Sequence, residues 1–528
     1  MKANFISRTE TNCFNEQQLL ISENQDALSD FIGNSFSKEA FLKQIELKKS
    51  SYSSANRNVL QKVLSEKYDA LEINSKSLEN INALTKENCF TVTTGHQLSL
   101  MTGPLYFVLK ILHVIKQCKE LKASYPNYHF VPVYWMASED HDFEEIKSFL
   151  LFGKSITWET EQGGAVGRMN LSGMTEILAK FKQFFENHPE SEIHELIDKL
   201  NGNTYGEAFF KFIHALFSDF GLVIIDGDRK EFKELFVPLI KTELETQFSF
   251  EAVQQTNKQL AQRNLKIQVH PREINLFFLS ENNRERIIPI GSEYQIGNEK
   301  YTKEQLFELL KKQPESFSPN VVLRPLYQEF LLPNLCYVGG VGELGYWIQL
   351  KGVFEHSQIP YPLIQARTSA LRIDQSMLQK MEQYRISKND IFKSKNELKK
   401  QFLEENDAEN IDFSLLDFQF NQLKQDFEQK AKSIDSSITT KVGAEFSRIE
   451  KQIEGLKTQL EKSVKNKHEK GLKTIEQIKD KLFPNEGLQE RSANFFQFCP
   501  DGNFKQKLHD LVEIMQPFSS QFLVIEED

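Results

Sequence analysis

Residues 89–137 open with CFTVTTGHQLSLMTGPLYFVLKILHVIKQCKE (89–120) and close with HFVPVYWMA (129–137), and their reading decides the fold. Cys89–Thr94 is a short β-branched and aromatic run, the composition of a strand. Gly95-His96-Gln97 and Gly103-Pro104 follow it. A helix is expected from about Leu105 to Leu121, with Pro104 in its first turn, where a missing N–H costs nothing. Phe130–Ala137 is the next apolar strand. Strand, helix and strand in this order form a β–α–β unit, whose parallel strands need a sheet covered on both faces.

Working outward, further strands are expected at Gly221–Asp226, Arg286–Ile290, Leu335–Val338 and Pro362–Ala366. Helical patterns at Tyr205–Phe217, Phe232–Gln247 and Gly345–Glu355 separate several of them. This alternation predicts a doubly wound α/β core with a parallel sheet over about 86–373, carrying insertions between about 145 and 320. Residues 1–85 read as a helical lead-in, with apolar spacing at Phe36–Leu47 and Asn58–Leu71. Beyond Ile373 the texture changes. Between Leu416 and Leu482 there is no proline, and apolar residues step by three and four in a Lys-, Glu- and Gln-rich background. That stripe predicts a coiled-coil arm over 374–483. Four-residue steps at Ile434, Ile438, Val442 and Phe446 break the heptad, so a change of supercoil is expected there. Pro484 ends the helix, and 484–528 form a tail packing near the core.

Of the 528 residues, 40% are hydrophobic and the formal net charge is −10, which disfavours a nucleic-acid backbone or an anionic membrane as partner. Cys13, Cys89, Cys118, Cys336 and Cys499 show no CxxC pairing, as expected of reduced thiols in the cytoplasm. The N-terminus shows no secretory pattern, and the longest apolar runs are too short to span a bilayer.

Four segments place polar and glycine residues where a strand or helix ends; in open α/β sheets ligands bind at the strands' carboxyl ends. Gly95, His96 and Gln97 precede a helix start suited to a phosphate or carboxylate, and Tyr106, Lys110 and His113 form a polar stripe on that helix. Ser138-Glu139-Asp140-His141-Asp142 can hold an ammonium group, do acid–base work or bind a cation. Neither HExxH nor a Cys/His zinc spacing occurs, so no metal is assigned. Arg324 begins RPLYQE, and Gly339-Gly340-Val341-Gly342-Glu343 follows a strand, an anion-binding arrangement without GxGxxG or Walker spacing. Glu343 there can receive an amine, while Tyr346 and Trp347 read as packing. Gln489-Glu490-Arg491 reads as a short amphipathic turn after the helix stop.

TGHQLSLMTGPLYFVLK (94–110), VPVYWMASEDHDFEEI (131–146), RPLYQEFLLPNLCYVGGVGELGYW (324–347) and LFPNEGLQER (482–491) together resemble the motifs of the BshC family, the cysteine ligases of bacillithiol biosynthesis. The resemblance implies a Rossmann-like core akin to class I aminoacyl-tRNA synthetases and nucleotidylyltransferases, with connecting insertions, a coiled-coil arm and a homodimer. It implies addition of cysteine to glucosaminyl-malate, with ATP or a related nucleotide activating the acid. Carried onto this sequence, it implies catalytic roles for His96, Asp140, His141 and Asp142. Gln97, Lys110, Arg324, Gly340, Gly342 and Glu343 fall at substrate-binding positions, and Gln489, Glu490 and Arg491 near a nucleotide. The HxGH and KMSKS motifs of the synthetases are absent, Ile386-Ser387-Lys388-Asn389 being only a faint echo. Two other readings use the same residues: a nucleotidylyltransferase acting on another acid or sugar phosphate, and a nucleotide-binding coiled-coil scaffold.

Overall fold

A computed structural model describes residues 1–71 and 76–527, with side chains described except at 407–411. Five parallel strands form its central sheet: β1 (Cys89–His96), β2 (His129–Met136), β3 (Val223–Asp226), β4 (Asn334–Gly339) and β5 (Leu363–Ala366). They lie in the order β5-β4-β1-β2-β3. The chain steps from β1 out to β2 and β3, then returns to place β4 on the other side of β1. The carboxyl ends of β1 and β4 therefore flank the topological switch point. Cys89 aligns with His129 and His96 with Met136, so β1 and β2 run together over their whole length. β2 is buried from Phe130 to Met136, as expected of a strand covered on both faces.

Helix α1 (Tyr106–Ser124) joins β1 to β2, α2 (Tyr205–Phe217) precedes β3, and α3 (Arg324–Leu331) and α4 (Val341–Trp347) bracket β4. Helix α1 is buried on nearly every side, Lys110, His113 and Gln117 included. Its polar stripe faces other parts of the protein, in part because helix Lys505–Ile514 packs on it. Beside β1, Asn334 accepts hydrogen bonds from Thr91 and Thr93 at 3.1 and 2.8 Å and donates to Glu329 at 2.6 Å. Lys48 meets Glu329 at 3.4 Å, both side chains being essentially unexposed.

Two expectations are corrected here. Arg286–Ile290 does not join the parallel sheet. It lies in Arg284–Ile290, the middle strand of a separate antiparallel sheet with Leu276–Leu279, Glu293–Ile296, Glu299–Thr302 and Phe317–Pro319. A tight turn at Gly291 (φ +61°) pairs it with Glu293–Ile296, and so short a connection can only make an antiparallel pair. Gly345–Glu355 is not one helix: α4 stops at Trp347 and a second short helix runs over Lys351–His356.

The described chain divides into two compact units. One comprises Met1–Thr9, Cys13–Leu371 and Gln489–Ile525, and the other chiefly Arg372–Leu488. Within the second, the apolar stripe is not one continuous seam. Helices Ser414–Ile434 and Thr439–Lys467 form an antiparallel hairpin, with Lys457 bonded to Asp417 and Lys424 3.6 Å from Glu450. Phe420 and Phe427 both pack on Phe446, at 5.8 and 5.6 Å. The chain reverses at Asp435, whose extended backbone breaks the helix and whose carboxylate accepts from the Ser437 N–H at 2.8 Å. The four-residue steps around Ile434–Phe446 mark this reversal rather than a change of supercoil. Leu416, Leu423, Leu456 and Leu460 remain at least half exposed along the hairpin.

Candidate active site at the switch point

A cavity of about 470 Å³ opens at the carboxyl ends of β1, β2 and β4. Strand β1 contributes Gly95 and His96, with Gln97 just beyond, and β2 contributes Trp135, with Ala137 and Asp140 in the loop after it. Arg324, Pro325 and Gln328 of α3 form one wall, and Tyr337, Glu343, Tyr346 and Trp347 of β4 and α4 another. A larger cleft of about 780 Å³ lies between helices Phe248–Gln262 and Lys351–His356, away from the strand ends and from every candidate residue.

The turn after β1 is unusual. Met101, Thr102 and Gly103 all have positive φ, and a Cβ on Gly103 would sit 2.7 Å from that of Ser99. The tail holds this turn. Asn494, wholly buried, donates to Met101 O and Gly103 O at 2.7 Å, and Leu105 N donates to Ala493 O at 2.7 Å.

His96 packs its ring against Tyr106 and Phe107, with centroids 5.3 Å apart in each case. Burial, aided by the cations Lys110 and Arg367, keeps its pKa well below the usual imidazole range, so it is neutral at physiological pH. Lys110 Nζ is buried, donates to Gly95 O at 3.1 Å and pairs with Glu343. Burial also lowers the Lys110 pKa, with Glu343 opposing. Tyr337 donates to the other Glu343 oxygen at 3.3 Å. These contacts join α1, β4 and α4 across the switch point.

Gln97 Nε2 reaches Glu145 at 2.9 Å and Asp140 at 3.3 Å, bracketing two carboxylates. Asp140 also lies 3.6 Å from Arg324 and 3.9 Å from Arg284. Burial raises its pKa, but His141, Arg324, Arg284 and Gln97 together hold the carboxyl well below the usual range. Arg324 meets only this carboxylate among the described residues, so most of its planar donor edge is available from the cavity. His141 is exposed beside Arg284, 3.1 Å away, and Asp142 is exposed and does not line the cavity.

The structure thus brings together His96, Gln97, Lys110, Asp140, Arg324 and Glu343. Gly340 caps α4 beside Glu343, and Gly342 faces open space. In the tail motif, Gln489 and Glu490 are buried. Glu490 accepts from Arg367 at 2.7 and 2.9 Å and from the Ala370 N–H at 2.8 Å, while Arg491 is exposed. Arg367 stands over Tyr106 at 5.1 Å.

Arg367 escaped the sequence reading although it follows an apolar strand, the same signal that marked the other sites. Arg284 reaches Asp140 from a sheet more than a hundred residues away, and no local pattern announces it. Tyr346 and Trp347, read as packing, line the cavity wall. Among the described residues no group of three or more His, Cys, Asp or Glu is arranged to hold a metal ion, and no helix is long and apolar enough to cross a membrane.

Sheet order and cavity define an α/β protein of the Rossmann-like class with a cavity lined by charged and aromatic side chains at its switch point. The family described as Bacillithiol biosynthesis BshC, N-terminal Rossmann-like domain, matches residues 1–368, and its C-terminal coiled-coil domain matches 370–527. The chain belongs to the BshC family of bacillithiol biosynthesis. It is 40% identical over 499 residues to a Flavobacterium johnsoniae protein named "Putative cysteine ligase BshC", with 92% of each chain covered. A Christiangramia forsetii protein of the same name is 36% identical over 99% of each chain. A Bacillus anthracis protein of that name is 28% identical over 80% of this chain and 82% of its own. A Campylobacter jejuni structure described as a putative arginyl-tRNA synthetase aligns with 85% of this chain and 98% of its own, at 12% identity. Its TM-score of 0.21 carries no argument.

Proposed function

We propose that this chain is a cytoplasmic ligase that joins the carboxyl of cysteine to the amine of glucosaminyl-malate. The observation that carries the reading is the cavity's pairing of opposite charges. Arg324 presents a planar donor edge, and next to it Asp140, 3.6 Å away, and Glu145, both held by Gln97, present carboxylates. The acceptor molecule has both counterparts: malate carboxylates to meet the guanidinium, and an amine to meet the acidic pair. Trp135, Tyr337, Tyr346 and Trp347 line the cavity, with Tyr337 and Trp347 stacked on each other at 4.4 Å, and give its wall an apolar surface.

Amide formation creates a bond from the amine nitrogen to the cysteine carbonyl carbon, and the nitrogen loses a proton. ATP or a related nucleotide would supply the leaving group that makes the carboxyl reactive. Of the three tail-motif residues Arg491 is the one that exposes a charge for such a nucleotide, and the buried Gln489 and Glu490 support the site from behind. Lys110, tied to Glu343, keeps a positive charge next to the Gly95 carbonyl. His96, kept neutral by burial and by the cations Lys110 and Arg367, lines the cavity as a hydrogen-bonding group beside the reacting carboxyl. Asp140 is too strongly stabilised as a carboxylate to take the amine's proton and serves to orient that amine.

Purified protein incubated with ATP, cysteine and glucosaminyl-malate is expected to yield bacillithiol, and Arg324→Ala to raise KM for the malate compound. No product from the wild-type protein, together with a silent His96→Ala allele in cells, overturns the assignment. Pairing of two copies through the exposed hairpin leucines belongs to the same proposal and is read by analytical ultracentrifugation.

A further inference from the structure

The segment that carries Asp140 is held from outside the cavity. Val166 N donates to Asp140 O at 2.7 Å and Gly167 N to Ser138 O at 2.8 Å, so a turn of the insertion grips the segment by its backbone. The approach is close, since a Cβ on Gly167 would lie 2.6 Å from the Ser138 Cβ. The next residue, Arg168, is fixed in turn. Its Nε and one terminal nitrogen each reach the Asp228 carboxylate at 2.7 Å, and it also donates to Glu315 O at 3.0 Å. Asp228 lies two residues past β3, where its N–H donates to Asp226 at 3.0 Å, and Asp226 also accepts from Ser138.

We propose that the Arg168–Asp228 pair is a positioning latch that fixes the Ser138–Asp140 backbone, and through it the Asp140 carboxylate, against Arg324. None of these latch residues lines the cavity, so they act on the site through the Ser138–Asp140 segment that they hold. The latch carries a mechanical prediction that is independent of chemistry. Its consequence for turnover rests on the ligase reading.

The test is hydrogen exchange on the full-length protein, read at the Val166 and Gly167 amides that make the grip. Asp228→Asn keeps the shape but removes the charge, and is expected to lower protection at these two amides by about 10- to 100-fold while β1 and β2 amides keep theirs. Gly167→Ala wedges the turn with the ion pair intact and is expected to give the same local signature. Arg168→Lys, which retains charge without the fork, is expected to fall between Asp228→Asn and wild type. In the ligation assay these variants are expected to lose kcat with little change in KM for ATP. Protection within twofold of wild type in both Asp228→Asn and Gly167→Ala overturns the latch, as does loss spread evenly over the parallel sheet. Absence of turnover by the wild-type protein strikes the ligase reading and leaves the exchange result standing.

Discussion

Replacing Glu490 by Gln asks whether the tail motif serves the ligand directly or supports the fold. Glu490 is wholly buried, Arg367 is 6% exposed, and three hydrogen bonds of 2.7 to 2.9 Å converge on the carboxylate. Gln keeps one acceptor but turns an amide toward a guanidinium that only donates, leaving a buried cation uncompensated. Loss of one partner of such a pair costs about 3–5 kcal/mol; the surviving acceptor places Gln near the lower end, at about 3 kcal/mol. Urea unfolding at pH 7 reads the loss. The double variant Arg367→Met/Glu490→Leu, which removes both charges, is expected to recover most of it. Nucleotide affinity of the single variant is expected to stay within a few-fold of wild type. An unmoved urea midpoint with nucleotide binding abolished would refute the supporting role and return Glu490 to the ligand.

Other perturbations follow from the same geometry. Lys48→Met leaves Glu329 alone beside Asn334 and is expected to cost about 3 kcal/mol or more in urea unfolding, with the ligand site unchanged. Burial pushes the His113 imidazole down to about 4, so the unfolded chain binds the proton first as pH falls. Stability from this group is full above about 6.5 and is lost toward pH 4, at most about 3 kcal/mol, and His113→Asn is expected to flatten that part of the pH profile. Asp140→Asn frees Arg324 and Arg284 and is expected to abolish ligation while tightening binding of simple dicarboxylates, measured by calorimetry. Asp435→Ala removes the acceptor at the hairpin reversal and is expected to cost about 0.5–2 kcal/mol of helical signal in thermal melts.

Strand ends were the most legible part of the sequence. Cys89–His96, His129–Met136 and Asn334–Gly339 are runs rich in apolar, aromatic and β-branched residues because both faces of the sheet are covered, and each leads into polar residues that line the cavity. What pattern could not show is contact made at a distance. Lys110 and His113 looked like an outward stripe because helical period cannot tell that Glu343 and Thr368, each more than two hundred residues away, meet them. The hairpin stripe reads the same whether it runs on or folds back, since both arrangements bury the same period. Only Asp435-Ser436-Ser437, a plausible turn inside a helix-rich run, hints at the reversal. Arg284 and Arg168 come from the insertions, and their partners became visible only once the sheet order placed them.

The bonds from Asn494 to Met101 and Gly103 also have a consequence in time. Some 393 residues separate Asn494 from Met101, and everything between them, hairpin included, is synthesised first. At roughly 5–20 residues per second, the turn after β1 waits about 20 to 80 s for the segment that holds it. Met101, Thr102 and Gly103, in their left-handed conformations, have no such support during that interval. The turn beside the cavity is thus completed on the ribosome long after the first strands of its sheet are able to form.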